Sequence, residues 1–426
     1  SLRNLSDSYA GDVVEVRRNT DGALKDFKAS EVTDGTLAAW VNTSFANALP
    51  LDTAGAAAAA YSLRNLSSSY TGSVVEVRRS SDGALRSFTA AEVTDGTLVA
   101  WVNTPTWTSA VNSPTNPYDT FTDASLGGFS ATLASGLGQA GFGGISGGSG
   151  QTVSVSFDLV VNSGSPAIAL RSSSSSAVVG SNLQVYSTSG SYQIDLTATG
   201  SFGFIGFSDA SVPVDFTVSN FKILADGTVS KWYDQSGNDN HATQGTPASQ
   251  PKIVSGGSLV AGGLDFDGVN DCLSSTYSRS GEDLPSSIFS VFNQDALAVT
   301  YIAATVNTAG KAFNRLLTRA SSFDYGVRDN ASLSKATTGG TPATSTDFLW
   351  STTSNGLVAS GSLNGSSIFS SSDVNVGTQT LNQIDIGANN GDGNSNSNAF
   401  DGTIKEVIIY NSDQSDKRRA IEENIG

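Results

Sequence analysis

Residues 231–244 read Lys-Trp-Tyr-Asp-Gln-Ser-Gly-Asn-Asp-Asn-His-Ala-Thr-Gln, and they contain the chain's single histidine and one of its five tryptophans. Trp232 and Tyr233 are typical of the end of a strand that buries aromatic surface. The residues from Asp234 to Asn240 tolerate positive φ angles and hydrogen-bond to their own backbone, so they predict a sharp turn. We interpret this stretch as a rigid structural turn, in preference to a ligand-binding loop.

Composition restricts the class of protein. The 426 residues are enough for two to four domains, and the low charged fraction of 15%, with 45 glycines, indicates an all-β protein with an extracellular type of surface. A net charge of −16 argues against a nucleic-acid partner, since phosphate binding needs a basic patch. No apolar run is long enough to span a bilayer, so no membrane partner is expected. The lone Cys272 excludes an internal disulfide and is expected to be a small buried residue.

Residues 1–43 and 62–104 form a tandem duplication with roughly three-quarters of the aligned positions identical. The start of the second copy, extended back through the alanine-rich residues 56–61, predicts a short helix. Asp82-Gly83 predicts a β-hairpin turn, and residues 92–102 predict a short helix or turn. The chain opens with Ser-Leu-Arg-Asn-Leu, the same sequence that follows this alanine run in the second copy. We therefore expect that Ser1 is not the true start of the protein.

Each copy contains an arginine pair that is a candidate for binding an anion, Arg17/Arg18 in the first and Arg78/Arg79 in the second. On an acidic protein, however, we expect them to stack on neighbours and to pair with carboxylates. A near-identical tandem copy therefore indicates a scaffold or docking role more than chemistry.

Residues 105–223 are predicted to form an inserted β-sandwich, because apolar and polar residues alternate along them. The predicted strands are 152–161, 167–171, 183–186, 192–199, 202–207 and 216–223. In general outline the pattern resembles jelly-roll carbohydrate-binding modules. Trp107, Tyr118 and Phe121 have ring faces suited to stacking on a sugar, with core or hinge packing as the alternative.

The remaining residues predict a second sandwich, because short strands recur between Gly, Asn and Ser turns. The predicted strands are 264–266, 287–292, 298–304, 313–319, 324–328, 347–353, 356–363, 383–387 and 403–410. A helix over 415–425 is expected to close the domain.

Trp-Tyr-Asp-Gln-Ser-Gly-Asn at 232–238, followed by His-Ala-Thr-Gln at 241–244, resembles the strand and turn of fungal α-L-arabinofuranosidase B catalytic domains. It is still more similar to the concanavalin A/laminin-G-like domains of tailed-bacteriophage virion proteins. Gln-Pro-Lys-Ile-Val at 250–254, Leu-Asp-Phe-Asp-Gly-Val-Asn-Asp at 264–271 and the ending at 402–411 fit the phage type. This resemblance implies a lectin-like sandwich on a virion surface or otherwise extracellular. It also implies assembly with other virion subunits as a homo-oligomer, by family expectation a trimer.

The arabinofuranosidase resemblance implies a nucleophilic glutamate on a central strand and an acid in a Gly-Gly-Asp-Asn-Ser-Asn loop. A retaining glycosidase needs these two carboxylates about 5 Å apart. In the matching loop, residues 387–396, the acid position falls on Asn389 or Asn390, with Asp392 displaced. The predicted strands within 287–304 and 313–319 contain no glutamate. No catalytic residue is therefore predicted, and a single histidine also argues against Ser/His/Asp catalysis and histidine-based metal sites.

Polar loops, together with aromatic residues near the start of the inserted domain, nevertheless predict sugar contacts and a structural ion. The candidate carbohydrate-binding residues are Trp107, Tyr118, Asn389, Asn390, Asp392 and Asn394. The foremost candidate Ca²⁺ ligands are Asp234, Asn238 and Asp239, because hard cations prefer carboxylate and carbonyl oxygens. Two further oxygen-rich turns are Asp265/Asp267/Asn270/Asp271 and the 389–394 loop. Asx-turn chemistry is the alternative for all three turns, and no other cofactor is predicted.

We therefore predict a mainly β, multi-domain protein of antiparallel sandwiches preceded by a duplicated small α+β module. The predicted units are residues 1–60, the first module; 61–104, the second module, packing on the C-terminal domain; 105–228, the inserted jelly-roll; and 229–426, the concanavalin A-like sandwich. The predicted function is a non-enzymatic phage virion protein, either a tail fibre, a receptor-binding protein or a capsid decoration. The alternatives are an arabinofuranosidase-like glycoside hydrolase and a bacterial surface adhesin or fibre subunit.

Overall fold

A computed structural model describes most of the chain, and strands dominate it, as the sequence predicts. The described residues are 9–18, 24–42, 49–103, 110–112, 117–124, 127–147, 152–165, 167–173, 182–197, 202–209, 213–280, 284–307, 312–328, 333–372, 380–389 and 398–425. Among these residues, no helix has both the length and the apolar character needed to cross a membrane.

Each copy of the repeat folds as a β-hairpin followed by two short helices. In the first module these are β1 (Asp12–Arg17), β2 (Leu24–Lys28), α1 (Ala29–Thr33) and α2 (Thr36–Val41). After α3 (Pro50–Ala54) and β3 (Ala59–Ser62), the second module contains β4 (Ser73–Arg79), β5 (Leu85–Thr89), α4 (Ala90–Thr94) and α5 (Thr97–Val102). The predicted hairpin turn is confirmed, since β4 and β5 pair antiparallel and Gly83 has a φ of 73°.

The middle segment is a sandwich of two five-stranded antiparallel sheets, in the orders β13-β10-β15-β8-β7 and β12-β11-β14-β9-β6. Its strands are β6 (Ala110–Asn112), β7 (Thr120–Asp123), β8 (Phe129–Leu133), β9 (Gly138–Gly147), β10 (Thr152–Gly164), β11 (Ile168–Ser173), β12 (Asn182–Tyr186), β13 (Gly190–Thr197), β14 (Phe202–Asp209) and β15 (Val214–Leu224). All six predicted strands are found. The sequence did not predict β6, β7 or β8. It also missed β9, because glycines, which have low β propensity, make up half of this strand. Phenylalanines from both sheets, such as Phe142 stacked on Phe221, fill the core.

The C-terminal segment supplies most of a second, larger set of sheets. Its elements are β16 (Gly227–Trp232), β17 (Ala242–Thr243), a 3₁₀ turn (Pro247–Ser249), β18 (Lys252–Ser255), β19 (Ser258–Leu259), β20 (Leu264–Asp267), β21 (Leu273–Arg279), β22 (Ser286–Gln294), β23 (Thr300–Asn307), β24 (Ala312–Thr318), β25 (Phe323–Arg328), β26 (Leu333–Gly339), β27 (Asp347–Ser354), β28 (Val358–Leu363), β29 (Ser366–Ser372), β30 (Leu381–Ile386), β31 (Asp401–Tyr410) and α6 (Arg418–Glu422). The sequence missed the short β17, β18 and β19 and the Ser/Thr-rich β21, β26 and β29. The final helix is shorter than predicted. Cys272 is buried, as predicted.

The predicted helix over residues 56–61 is wrong, because β3 occupies this place. Ala59, Ala60 and Tyr61 are fully buried, and β3 pairs antiparallel with β31. Burial against a neighbouring strand outweighs the high intrinsic helix propensity of alanine. The small side chains let the backbone lie close to β31 and to the turn after Trp232.

The second module is a layer of the C-terminal sandwich. Its strand β4 pairs antiparallel with β16, and Val75, Val77, Leu98 and Val102 are fully buried in the same core as Trp232. Among the described residues, β3, β4, β5 and β16 to β31 form one hydrogen-bonded network of 19 strands. The turn after Trp232 lies where these parts meet.

Candidate functional site

The turn after β16 is organised by the carboxylate of Asp234, which is only 3% exposed. Its Oδ1 atom accepts hydrogen bonds from the backbone N–H groups of Ala60 (2.8 Å) and Ser236 (2.9 Å). Its Oδ2 atom accepts from the Ser236 hydroxyl (2.7 Å) and the Asn240 N–H (3.1 Å). Gly237 and Asp239 have φ angles of 88° and 58°, so the predicted sharp turn is confirmed.

Other side chains of this turn hold the start of the second module. The Gln235 side-chain oxygen accepts from the Leu66 N–H (2.8 Å), and its amide donates to the carbonyls of Ser62 (3.0 Å) and Arg64 (2.8 Å). Asn238 donates through its Nδ2 atom to the Ala57 carbonyl at 2.8 Å. The turn therefore joins two chain segments that lie more than 160 residues apart in sequence.

A cleft of about 420 Å³ lies beside this turn, bounded by α3 and by the residues that open the second module. Asp52, Ser67 and Tyr70 line one part of it, while Ser236 and Gly237 come from the turn. The walls thus combine one aromatic ring, one carboxylate and several hydroxyl groups. The cleft is open to solvent on the side of Asp52, which is exposed.

The charge state of this cleft is well defined. Partial burial pushes the pKa of the Asp52 carboxyl up, but hydrogen bonds from the Ser67 hydroxyl (2.7 Å) and the Ser68 N–H (3.0 Å) outweigh it and lower the pKa below 3.8. Burial, with the nearby Asp234 carboxylate, raises the pKa of Tyr70 to about 12. At neutral pH the cleft therefore offers an anionic hydrogen-bond acceptor beside a neutral phenol ring.

Such a set of groups suits a polyhydroxylated ligand. A carboxylate accepts hydrogen bonds from hydroxyl groups, and an aromatic ring packs against the C–H face of a sugar. The sequence did not indicate this site, because Asp52, Tyr70 and Ser236 come from three separate segments and share no motif.

The predicted carbohydrate-binding residues lie elsewhere. Tyr118 is 3% exposed and packs edge-on against Phe216 at 5.4 Å between ring centroids, which corresponds to the core-packing alternative. Asn389 is fully buried. Trp107, Asn390, Asp392 and Asn394 lie outside the described residues.

The foremost calcium candidates lie in the turn after β16, where their side chains have protein partners or are exposed to solvent. The Asp234 carboxylate is engaged by its four donors, the Asn238 amide donates to backbone carbonyls, and the Asp239 side chain is 91% exposed. Within the described ranges, no group of three or more His, Cys, Asp or Glu residues has a geometry that could hold a metal ion. The structural Ca²⁺ ion stays a prediction.

A group of aspartates gathers where β20 and β22 end and β31 begins. Asp267 and Asp401 are cross-strand partners, and the Asp295 N–H donates to the Asp401 carbonyl at 2.9 Å. Burial, followed by the like charge of Asp267, raises the pKa of Asp271 to about 7, although the Asp267 N–H donates to its carboxylate at 3.0 Å. Burial and neighbouring carboxylates also raise the pKa of Asp265 and that of Asp401.

The free energy of unfolding is expected to fall as the pH rises from about 4 to about 7, because Asp271 titrates differently in the folded and unfolded states. In that window the folded state keeps a proton that the unfolded chain, with an ordinary pKa of 3.8, has released. Asp271→Asn is therefore expected to raise the free energy of unfolding at pH 8 by about 2 kcal/mol and to change it little at pH 4. Urea unfolding at both pH values measures this. Asp239→Asn, a change at an exposed side chain, is the control, and an equal effect of Asp271→Asn at both pH values would contradict the assignment.

Acidic side chains are absent from the described strands that correspond to the predicted strands 287–292, 298–304 and 313–319. The strands β22, β23 and β24 contain no glutamate or aspartate. Among the described strands from β16 to β31, Glu406 on β31 is the only glutamate, and its side chain is 2% exposed. It accepts two hydrogen bonds from Arg64, both at 3.0 Å, so it is held as a structural ion pair.

The described residues define a mainly β protein built from antiparallel, sandwich-like sheets. No protein-family model matches the chain, and no curated protein matches it. Among solved structures, the chain is similar to Trypanosoma rangeli sialidase in complex with 2,3-difluorosialic acid. It is 14% identical, with a TM-score of 0.34, over 45% of this chain and 31% of that chain.

Two further structures are similar at the same level. A heptameric SAP-like pentraxin from Limulus polyphemus is 12% identical, with a TM-score of 0.31, over 37% of this chain and 78% of that chain. The ligand-binding domain of botulinum neurotoxin serotype D in complex with N-acetylneuraminic acid is 14% identical, with a TM-score of 0.34, over 45% of this chain and 48% of that chain. These neighbours include lectin-like β-sandwiches, but at such TM-scores they support no family or activity for this chain. The phage and arabinofuranosidase resemblances stay predictions.

Proposed function

We propose that this chain is a non-enzymatic, lectin-like virion protein of a tailed bacteriophage, located on the particle surface as a tail fibre, receptor-binding protein or capsid decoration. It assembles with other virion subunits as a homo-oligomer and contacts cell-surface glycans. The observation that carries the binding role is the cleft in which the Tyr70 ring and the Asp52 carboxylate lie beside the Ser236 hydroxyl.

Two features support binding in preference to hydrolysis. The buried Glu406 is fixed by Arg64, away from any role as a free nucleophile. The cleft itself contains a single carboxylate, Asp52, among its described lining residues, whereas glycoside hydrolysis needs two. A site with one carboxylate and one aromatic ring can hold a sugar without activating the glycosidic bond.

Removing the Tyr70 ring is expected to weaken glycan binding at least about tenfold, because loss of the stacking surface costs roughly 1–2 kcal/mol. The measurement is binding of fluorescently labelled chain to a printed array of bacterial surface glycans, comparing Tyr70→Ala with the unmodified protein. Tyr9→Ala is a matched control. Tyr9 occupies the equivalent position in the first module and makes the equivalent hydrogen bond, from its hydroxyl to the Asp12 carbonyl at 2.8 Å.

Asp52→Asn is a second variant, which removes the charge while keeping the size of the side chain. It is expected to reduce binding to the same glycans as Tyr70→Ala does. Binding that survives both changes, or that Tyr9→Ala reduces equally, would place the glycan outside this cleft. An array on which the unmodified chain binds nothing would contradict the lectin-like function itself.

A further inference from the structure

The two modules have the same fold and the same internal contacts. Of 43 aligned positions, 33 are identical. The Arg18 guanidinium lies over the Trp40 ring at 4.5 Å, and its equivalent Arg79 lies over Trp101 at 4.7 Å. Phe27 and its equivalent Phe88 are both fully buried.

The second module uses one face to join the C-terminal sandwich. Its strand β4 pairs with β16 from Arg79 opposite Gly227 to Val75 opposite Trp232. The Ser230 hydroxyl donates to the Glu76 carboxylate at 2.7 Å. Asn103 donates to the Gly257 carbonyl at 2.8 Å and accepts from the Ala225 N–H at 3.2 Å. We refer to the segment that receives the module, residues 225–257, as the acceptor segment.

The first module keeps the corresponding face, and no strand in the described part of the chain pairs with it. The positions equivalent to Val75, Val77, Leu98 and Val102, all fully buried, are only partly buried in the first module; they are Val14, Val16, Leu37 and Val41. Among the described residues, β1 pairs with β2 alone, so its outer edge has no strand beside it.

The polar contacts of this face are retained as well. Glu15 and Asn42 stand where the second module has Glu76 and Asn103, and none of the ten differing positions falls on these six residues. An apolar strip, a carboxylate and an amide thus remain in the arrangement that already binds an acceptor segment in the second module.

Among the described residues, one segment acts as an acceptor segment, and the second module of the same chain covers it. If the first module of one copy displaced the second module from the acceptor segment of another copy, as many contacts would break as form. Such an exchange would give no net gain in binding free energy. Binding to an uncovered edge strand on a different subunit forms new contacts without breaking old ones. The edge of β1 gains hydrogen bonds and the apolar strip is buried in the same step.

We propose that the first module docks by β-strand addition onto a β-sandwich subunit of another polypeptide whose edge strand resembles β16 and is not covered by a module of its own. That strand carries glycine at the place of Gly227, where a Cβ atom would lie 3.0 Å from Val77 and 3.1 Å from Val102. It also carries a basic residue near the place of Tyr233. The Ser87 hydroxyl that contacts Tyr233 at 2.9 Å is replaced in the first module by the exposed Asp26.

Disulfide capture tests whether this face binds a β16-like strand. The full chain carrying Arg17→Cys is mixed, in a glutathione buffer, with a synthetic peptide of residues 225–233 carrying Thr228→Cys. Arg78, the equivalent of Arg17, is the cross-strand partner of Thr228. The Arg17 side chain pairs with Asp416 at 2.7 Å, but the two side chains are 53% and 65% exposed, so a peptide can reach this position. Cys272 is buried and does not compete.

We expect about tenfold more capture of this peptide than of a scrambled peptide with the same cysteine, and loss of the preference in a chain that also carries Val16→Asp. Equal capture of the two peptides would overturn the proposal. A Tyr233→Lys form of the peptide is expected to be captured better still, and poorer capture would contradict the assignment of a basic partner residue.

A second experiment does not depend on a peptide. The second module is given the first module's residues through Ser68→Asp, Thr71→Ala, Ser73→Asp, Ser80→Asn, Ser81→Thr, Arg86→Lys, Ser87→Asp, Thr89→Lys, Ala91→Ser and Val99→Ala. The full chain is expected to unfold cooperatively, with a Tm lowered by about 10 °C or less, because a few hydrogen bonds are lost and the docking face is intact. Loss of cooperative unfolding of the C-terminal sandwich would show that the first module's sequence cannot bind an acceptor segment, and would overturn the proposal.

Discussion

Asp234→Ala is expected to lower the free energy of unfolding by about 3–5 kcal/mol, because it removes the acceptor of four hydrogen bonds at a buried site. The donors left without it include the backbone N–H groups of Ala60 and Asn240, which water cannot reach freely. The change also releases β3 from the turn, so the loss extends to the pairing of β3 with β31. Urea unfolding followed by tryptophan fluorescence measures the effect, since Trp232 is buried two residues away.

Asp239→Asn is the control for this prediction. It alters a carboxylate of the same turn, but the side chain is 91% exposed and asparagine tolerates the φ of 58°. We expect a change within about 0.5 kcal/mol. If Asp234→Ala costs no more than this control, the turn does not organise the fold.

Arg64→Met is expected to have the second largest effect, a loss of about 3–4 kcal/mol at pH 8. Arg64 donates two hydrogen bonds to Glu406, whose side chain is 2% exposed, and a third to the Asn424 carbonyl at 2.6 Å. Methionine fills similar volume but leaves a buried carboxylate without a counter-ion. The measurement is the urea midpoint of the variant at pH 8 and at pH 5.

The loss caused by Arg64→Met is expected to be smaller at pH 5. Burial raises the pKa of Glu406 to about 7, even though the Arg64 charge acts to lower it. Without Arg64 the pKa rises further, so at pH 5 the folded state holds the proton and pays no cost for a buried charge. Adding Glu406→Gln to Arg64→Met is expected to restore most of the stability at pH 8. An equal loss at both pH values, with no rescue by Glu406→Gln, would contradict the buried ion pair.

Local patterns predicted the position of the central turn and most strands. Alternation identified strands such as β10, in which Val155, Phe157 and Leu159 are buried and the polar residues between them are only partly buried. The turn residues from Asp234 to Asn240 were identified by their own chemistry, because positive φ angles and Asx hydrogen bonds are local properties.

The partners of that turn could not be predicted in the same way. Asp234 binds the N–H of a residue 174 positions earlier, and Gln235 binds residues 62–66; no spacing rule relates such distant segments. The cleft was missed for the same reason, since Tyr70, Asp52 and Ser236 come from three segments. The alanine-rich strand β3 was predicted as a helix because intrinsic propensity carries no information about a buried neighbour such as β31.

The central claim is that this chain binds a glycan and leaves it intact. The most direct test is to incubate the unmodified chain with the glycan it binds on the array and to follow the sugar by mass spectrometry. We expect saturable binding that Tyr70→Ala weakens, with the mass of the glycan unchanged after prolonged incubation. Release of a shortened glycan or free sugar, abolished by Asp392→Asn, would contradict the claim and identify the chain as a hydrolase.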